Sequence, residues 1–163
     1  QRIRLKISPT NFQRININSG TDRNRLIDIE QWGTTAWTNM QFAFKGCNNL
    51  SGNGAHDVPN LSEVTNMSEM FFQANAFNHS IGGWNTANVA NMFSMFLQAT
   101  SFNRPIGSWN TSNVTDMSGM FSNATSFNQS IGAWNTSKVT NMSAMFNAAA
   151  SFNQSISDWN VIN

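Results

Sequence analysis

The sequence predicts a repeat solenoid with one coil per 25 residues, built from short parallel strands and short helices and covered at its N-terminus by a β-hairpin. Three observations carry this. Trp84, Trp109, Trp134 and Trp159 recur at a spacing of 25, and so do Val64, Val89, Val114 and Val139. Framed on the valines, 64–163 divides into four units (64–88, 89–113, 114–138 and 139–163) that open VTNMSEMF, VANMFSMF, VTDMSGMF and VTNMSAMF. Ten columns are invariant across the four units, and eight of them are apolar: Val64, Met67, Met70, Phe71, Ala74, Phe77, Ile81 and Trp84 in the first. One unit alone buries too little apolar surface to offset the backbone entropy of its residues, so units must stack and share a continuous core. The period is too short for a two-helix repeat and fits one coil.

Taken in chain order, residues 1–36 read as the cap. Arg2 to Ile7 alternates charged and apolar residues, as does Arg14 to Asn18, which predicts two strands joined through Ser8-Pro9-Thr10-Asn11. A cap needs one wet and one apolar face, and these strands have both. Charge follows the same division: six Lys/Arg against Asp22 in the first 25 residues, then five Asp/Glu against Lys45 over residues 26–70. Residues 37–63 read as an irregular first coil, because Trp37-Thr38-Asn39-Met40 echoes VTNM and Phe44, Cys47 and Leu50 align with Phe71, Ala74 and Phe77 at an offset of 27. Cys47 then occupies the buried alanine column, as an inert thiol.

Within the regular unit, the β-branched opening predicts a strand over Val64–Met67. Met67, Met70, Phe71 and Ala74 recur at i, i+3, i+4 and i+7, which predicts a short helix over Ser68–Asn75. Phe77 to Trp84 returns in extended or irregular form. The other two invariant columns, Asn78 and Asn85, are expected to form ladders whose amides satisfy turns and neighbouring coils. Each Trp indole is expected to reach a backbone carbonyl.

Composition narrows the function. The chain has 163 residues, a net charge of +1, 10% charged residues and one cysteine. No intrachain disulfide can form, and Cys47, His56 and His79 with scattered carboxylates make a poor metal set, so no metal or cofactor is expected. No apolar run approaches a membrane span. Residues 71–163 hold only Arg104, Asp116, Lys138, Asp158 and His79 as titratable groups, too dispersed for an acid–base pair or a phosphate groove, which argues against an enzyme and against nucleic-acid binding. The chain opens on Gln1 rather than Met, so a preceding segment is expected.

Ala43-Phe44-Lys45-Gly46-Cys47-Asn48-Asn49-Leu50, the entry Ile29 to Gly33 (IEQWG) and the VTxMSxMFxxAxSFNQSIxxWNTSNV units resemble the BspA-like leucine-rich-repeat surface proteins, in their 25-residue subfamily. The resemblance covers roughly 26–163. It implies a leucine-rich-repeat-like solenoid within a secreted, cell-surface or virion-surface protein, with attachment or ligand binding as its role and no active site to carry over.

Two function classes follow. A binding module for a protein or glycan would use columns that vary while the core does not; Phe72, Phe93 and Leu97, near His79 and Arg104, form the candidate contact patch. The rival is a structural subunit that assembles head-to-tail with copies of itself, since the last unit is expected to expose the edge of its core at Val139, Met142, Phe152 and Trp159.

Overall fold

The structure is a computed structural model that describes residues 2–6, 12–18, 20–51 and 54–160. Its regular elements are few. Strand β1 (Ile3–Lys6) pairs in parallel with strand β2 (Leu26–Gln31), which follows a single 3-10 turn at Arg23–Arg25. From residue 37 onward the chain is a succession of tight turns, and its order comes from bonds between one 25-residue unit and the next.

The segment after each Asn shows how. Met67, Glu69, Phe71 and Gln73 donate their N–H groups to the carbonyls of Asn91, Phe93, Met95 and Leu97 in the following unit. The alternate N–H groups of Met70, Phe72 and Ala74 turn back to the carbonyls of Met67, Glu69 and Phe71. The remaining donor, Ser68 N–H, goes to the Asn66 side chain at 2.8 Å. Every backbone donor from 67 to 74 therefore has a partner, as buried backbone requires. The same pattern recurs from Met40, Met92 and Met117.

This ribbon of turns replaces the helix expected over Ser68–Asn75: among the described residues there is no α-helix. The i, i+3, i+4, i+7 pattern also fits successive β-turns with i to i+3 bonds, whose inward positions recur at the same spacing. Positive φ decides the matter. Glu69 (54°) and Gln73 (58°) are each the third residue of a turn, the position that takes positive φ in type II turns. Ser94 and Gln98, Gly119 and Asn123, and Ala144 and Ala148 repeat the pair. The strand expected over Val64–Met67 shrinks to one-residue parallel bridges, Asn66 to Asn91, Asn91 to Asp116 and Asp116 to Asn141. The alternation of outward and backward donors leaves room for no more.

The expected N-terminal hairpin is also replaced. β1 pairs with β2, and the Arg14–Asn18 stretch instead lies on the first coil: Arg14 bridges Asn39 in parallel, Thr38 N–H donates to Gln13, and Ile17 N–H donates to Ala43. Ile15 and Ile17 reach the core there, which burial favours over a detached hairpin. Residues from 12 onward thus supply one more, irregular layer. Ile7 and the proposed turn at 8–11 lie outside the described residues.

All eight apolar columns are buried in the first three regular units. Two phenylalanines stack within each unit, Phe71 on Phe77 at 3.8 Å and Phe96 on Phe102 at 4.1 Å between centroids. Between units each ring stacks on its counterpart: Phe96 on Phe121 at 5.7 Å, Phe102 on Phe127 at 5.9 Å and Trp109 on Trp134 at 6.4 Å, spacings typical of offset-stacked rings. Trp109, Trp134 and Trp159 each donate an indole N–H to the isoleucine carbonyl of the preceding unit. The Asn78 column forms a ladder: Asn103, Asn128 and Asn153 N–H each donate to the Asn side chain one unit back. The Asn85 column closes local turns onto residues two positions on.

Candidate functional site

The turn ribbon presents its outward side chains in a strip. Phe72 is half-buried, Leu97 is half-buried one unit on, and Phe93 is 39% exposed. The stitches from Glu69 to Phe93 and from Gln73 to Leu97 hold these residues on adjacent units. Toward the first coil the strip continues with groups that the column analysis did not single out. Lys45 Nζ lies 5.1 Å from the Phe42 ring centroid and 4.7 Å from that of Phe72, and it pairs with Glu69 Oε2 at 2.5 Å. The signal was available in the 27-residue offset, which puts Lys45 in the column of Phe72 and Phe42 in that of Glu69. In the other direction the same columns become Ser118, Gly119 and Ser122, so the apolar stretch ends after three layers.

His79 and Arg104 do not join it. His79 is 8% exposed, stacks on Phe77 at 5.5 Å and faces Asp28, with Nε2 3.9 Å from Oδ1. Burial pushes the His79 pKa below its ordinary value; Asp28 opposes that shift and Arg104 adds to it. Arg104 lies against the preceding unit, its Nε donating to the Asn78 carbonyl at 2.8 Å.

The expected terminal edge is only partly open. Val139 is buried, and Trp159 is covered through its stack on Trp134 at 6.2 Å and its bond to Ile131. Met142 and Phe152 are half-buried, and among the described residues of this unit the exposed large apolar side chain is Ile156.

Chemically reactive groups are sparse. Cys47 is fully buried and burial pushes its thiol up to about 12, with Arg23 acting weakly in the other direction. Among the described residues no three His, Cys, Asp or Glu side chains converge on a point that could hold a metal ion, and no helix is long and apolar enough to cross a membrane.

These features define a class: tandem 25-residue units, each hydrogen-bonded and ring-stacked on the next, with variable side chains on the turn ribbon. The chain belongs to the family described as Mycoplasma protein of unknown function, DUF285, whose profile matches residues 12–113 and 104–163. That match begins at Phe12, where the irregular layer begins, and so extends 14 residues ahead of Leu26. No curated protein and no solved structure matches the chain.

Proposed function

We propose that this chain is a leucine-rich-repeat-like solenoid of the BspA-like kind, a non-catalytic module of an extracellular or cell-surface protein that binds a protein or glycan. The carrying observation is the strip of Phe72, Phe93 and Leu97, with Phe93 39% exposed on a ribbon whose later units show serine and asparagine in the same columns. A large apolar side chain held outward on a rigid backbone is the usual anchor of a contact surface. Phe93→Ala with Leu97→Ala should weaken capture on arrays of glycans and extracellular-matrix proteins at least about tenfold, with little change in Tm. Unaltered capture would remove the strip as the contact surface.

A second reading, head-to-tail assembly into a fibre or surface layer, has its own observation. Met142, Ala144, Phe146 and Ala148 occupy the positions whose N–H groups bond the next unit elsewhere, and these four find no acceptor among the described residues, so either a further unit of the same chain or a second copy could supply them. Mass measured over a hundredfold range of concentration separates the readings: a constant monomer favours the module, and ordered growth favours assembly.

A further inference from the structure

A cleft of about 480 Å³ opens beside the N-terminal layers, within the volume range of small-molecule sites. Its rim carries Arg2 and Arg4, its wall Asn49 and Ser51, and its floor Asp28. The alternation of β1 puts Arg2 and Arg4 on its exposed side while Ile3 and Leu5 pack on the core. Arg4 is paired with Glu30 at 3.2 Å, whereas Arg2 has no ion pair among the described residues. Asn49 uses its amide N–H on the Asn24 carbonyl and keeps its side-chain oxygen free; Ser51 uses its backbone N–H on Ile27 and keeps its hydroxyl free.

The floor is the unusual part. Asp28 is 8% exposed, yet among the described residues its carboxylate accepts a hydrogen bond only from Gly54 N–H, at 3.1 Å. The adjacent His79 Nε2, 3.9 Å from Asp28 Oδ1, is buried with no hydrogen-bond partner among the described residues. His79 lies behind Asp28 and outside the cleft lining, so it is the buried carboxylate, with acceptor capacity left over, that faces the cleft.

We propose that this cleft binds an acidic sugar residue, a polyhydroxylated ring bearing a carboxylate. The unpaired Arg2 guanidinium takes the carboxylate in two parallel bonds. Ring hydroxyls donate to Asp28 and Asn49 and exchange hydrogen bonds with Ser51, while Ile27 and Ala76 pack on the apolar edge of the ring. A simple anion fits worse, because the Asp28 carboxylate at the floor repels it. A neutral sugar fits worse, because it leaves Arg2 unpaired. The site is separate from the Phe93 strip and does not rest on it.

The test follows the backbone amide signals of Asn49 and Ser51 by NMR while glucuronic acid, glucose or inorganic phosphate is added. Glucuronic acid should give saturable shifts with a Kd in the millimolar range, reasonable for roughly a dozen non-hydrogen atoms. Glucose should bind at least about tenfold more weakly, as should phosphate, and Arg2→Ala should lose about tenfold at unchanged Tm, with Arg2→Lys recovering part of it. Ser51→Ala offers a second, exposed position whose loss should weaken both sugars. Phe93→Ala should leave the titration untouched, so the two surfaces stand or fall separately. No saturable shift, equal affinity for glucose, phosphate binding as tightly as glucuronic acid, or full affinity in Arg2→Ala would each overturn the proposal.

Discussion

The Trp134 indole N–H donates to the Ile106 carbonyl at 3.1 Å, across the boundary between two units, and the bond is repeated by Trp109 on Ile81 and Trp159 on Ile131. The tryptophan column therefore ties layers together through a directional bond as well as through ring stacking. The Ile106 carbonyl also accepts the Trp109 backbone N–H at 3.1 Å, so it serves two donors, one from its own unit and one from the next.

Trp134→Phe keeps an aromatic ring but removes the inter-unit donor to Ile106, which retains only the Trp109 N–H, and opens space beside Phe121. Loss of one such hydrogen bond costs about 0.5–1.5 kcal/mol net, and the smaller ring adds a cavity term. The expected loss is roughly 2–3 kcal/mol in urea unfolding followed by fluorescence. A loss below about 0.5 kcal/mol would mean that the indole bond contributes little to layer stacking.

The turn ribbon makes a prediction whose sign alternates with residue type. Ala144 and Ala148 hold φ of 54° and 55°, in the left-handed region that a β-carbon disfavours. Both are exposed, so Ala144→Gly and Ala148→Gly should each stabilise by about 0.5–1 kcal/mol after the larger unfolded-state entropy of glycine is counted. Gly119 sits in the same column at φ 63°, and a β-carbon there would lie 2.8 Å from Ser94 Oγ. Gly119→Ala should destabilise by about 1 kcal/mol or more. Calorimetric Tm values that rise for Gly119→Ala, or fall for both alanine replacements, would contradict the ribbon geometry.

How far the sequence reveals this architecture depends on the element. The buried columns are legible because packing demands the same side chain in every layer, and Val64, Met67, Phe71 and Trp84 carry that demand openly. The ribbon is not, because Met67, Met70, Phe71 and Ala74 have the spacing of a helix and of linked turns alike. What separates the two is φ at Glu69 and Gln73, and neither residue type advertises a positive value; only Gly46, Gly119 and Asn123 hint at it. The layer beginning at Phe12 is hidden because Phe12, Arg14 and Ile15 replace the valine, asparagine and methionine of the later units. Of the contact patch, Phe93 and Leu97 are readable as breaks in their columns. The burial of His79 is not, since it depends on Asp28, which the chain brings in from two layers away.

The Cys47 thiol should resist alkylation in the native protein. Full burial and a pKa pushed up to about 12 deprive it of both access and thiolate. Iodoacetamide at pH 8 should label it only after denaturant unfolds the first coil, so labelling against urea concentration reports the opening of that layer. Rapid labelling without denaturant would show that residues 40–47 open independently of the rest.

His79 gives the stability a dependence on pH whose direction follows from linkage. Its folded-state pKa is lowered, chiefly by burial and also by Arg104, against the opposing pull of Asp28. The unfolded chain, with an ordinary value of about 6.5, therefore binds a proton at a pH where the folded chain does not. Stability is full above that value and falls as the pH drops from about 6.5 toward the lowered folded-state pKa, with a slope of at most about 1.4 kcal/mol per pH unit, and levels off below it. His79→Gln places in this column the residue already found at Gln129 and Gln154 and removes the titrating group. The difference between wild type and His79→Gln should be flat from pH 7 to 8 and should grow in favour of the variant below pH 6.5. A difference that stays flat throughout, or that grows in favour of wild type on acidification, would mean that Asp28 outweighs burial and holds the imidazole as a cation.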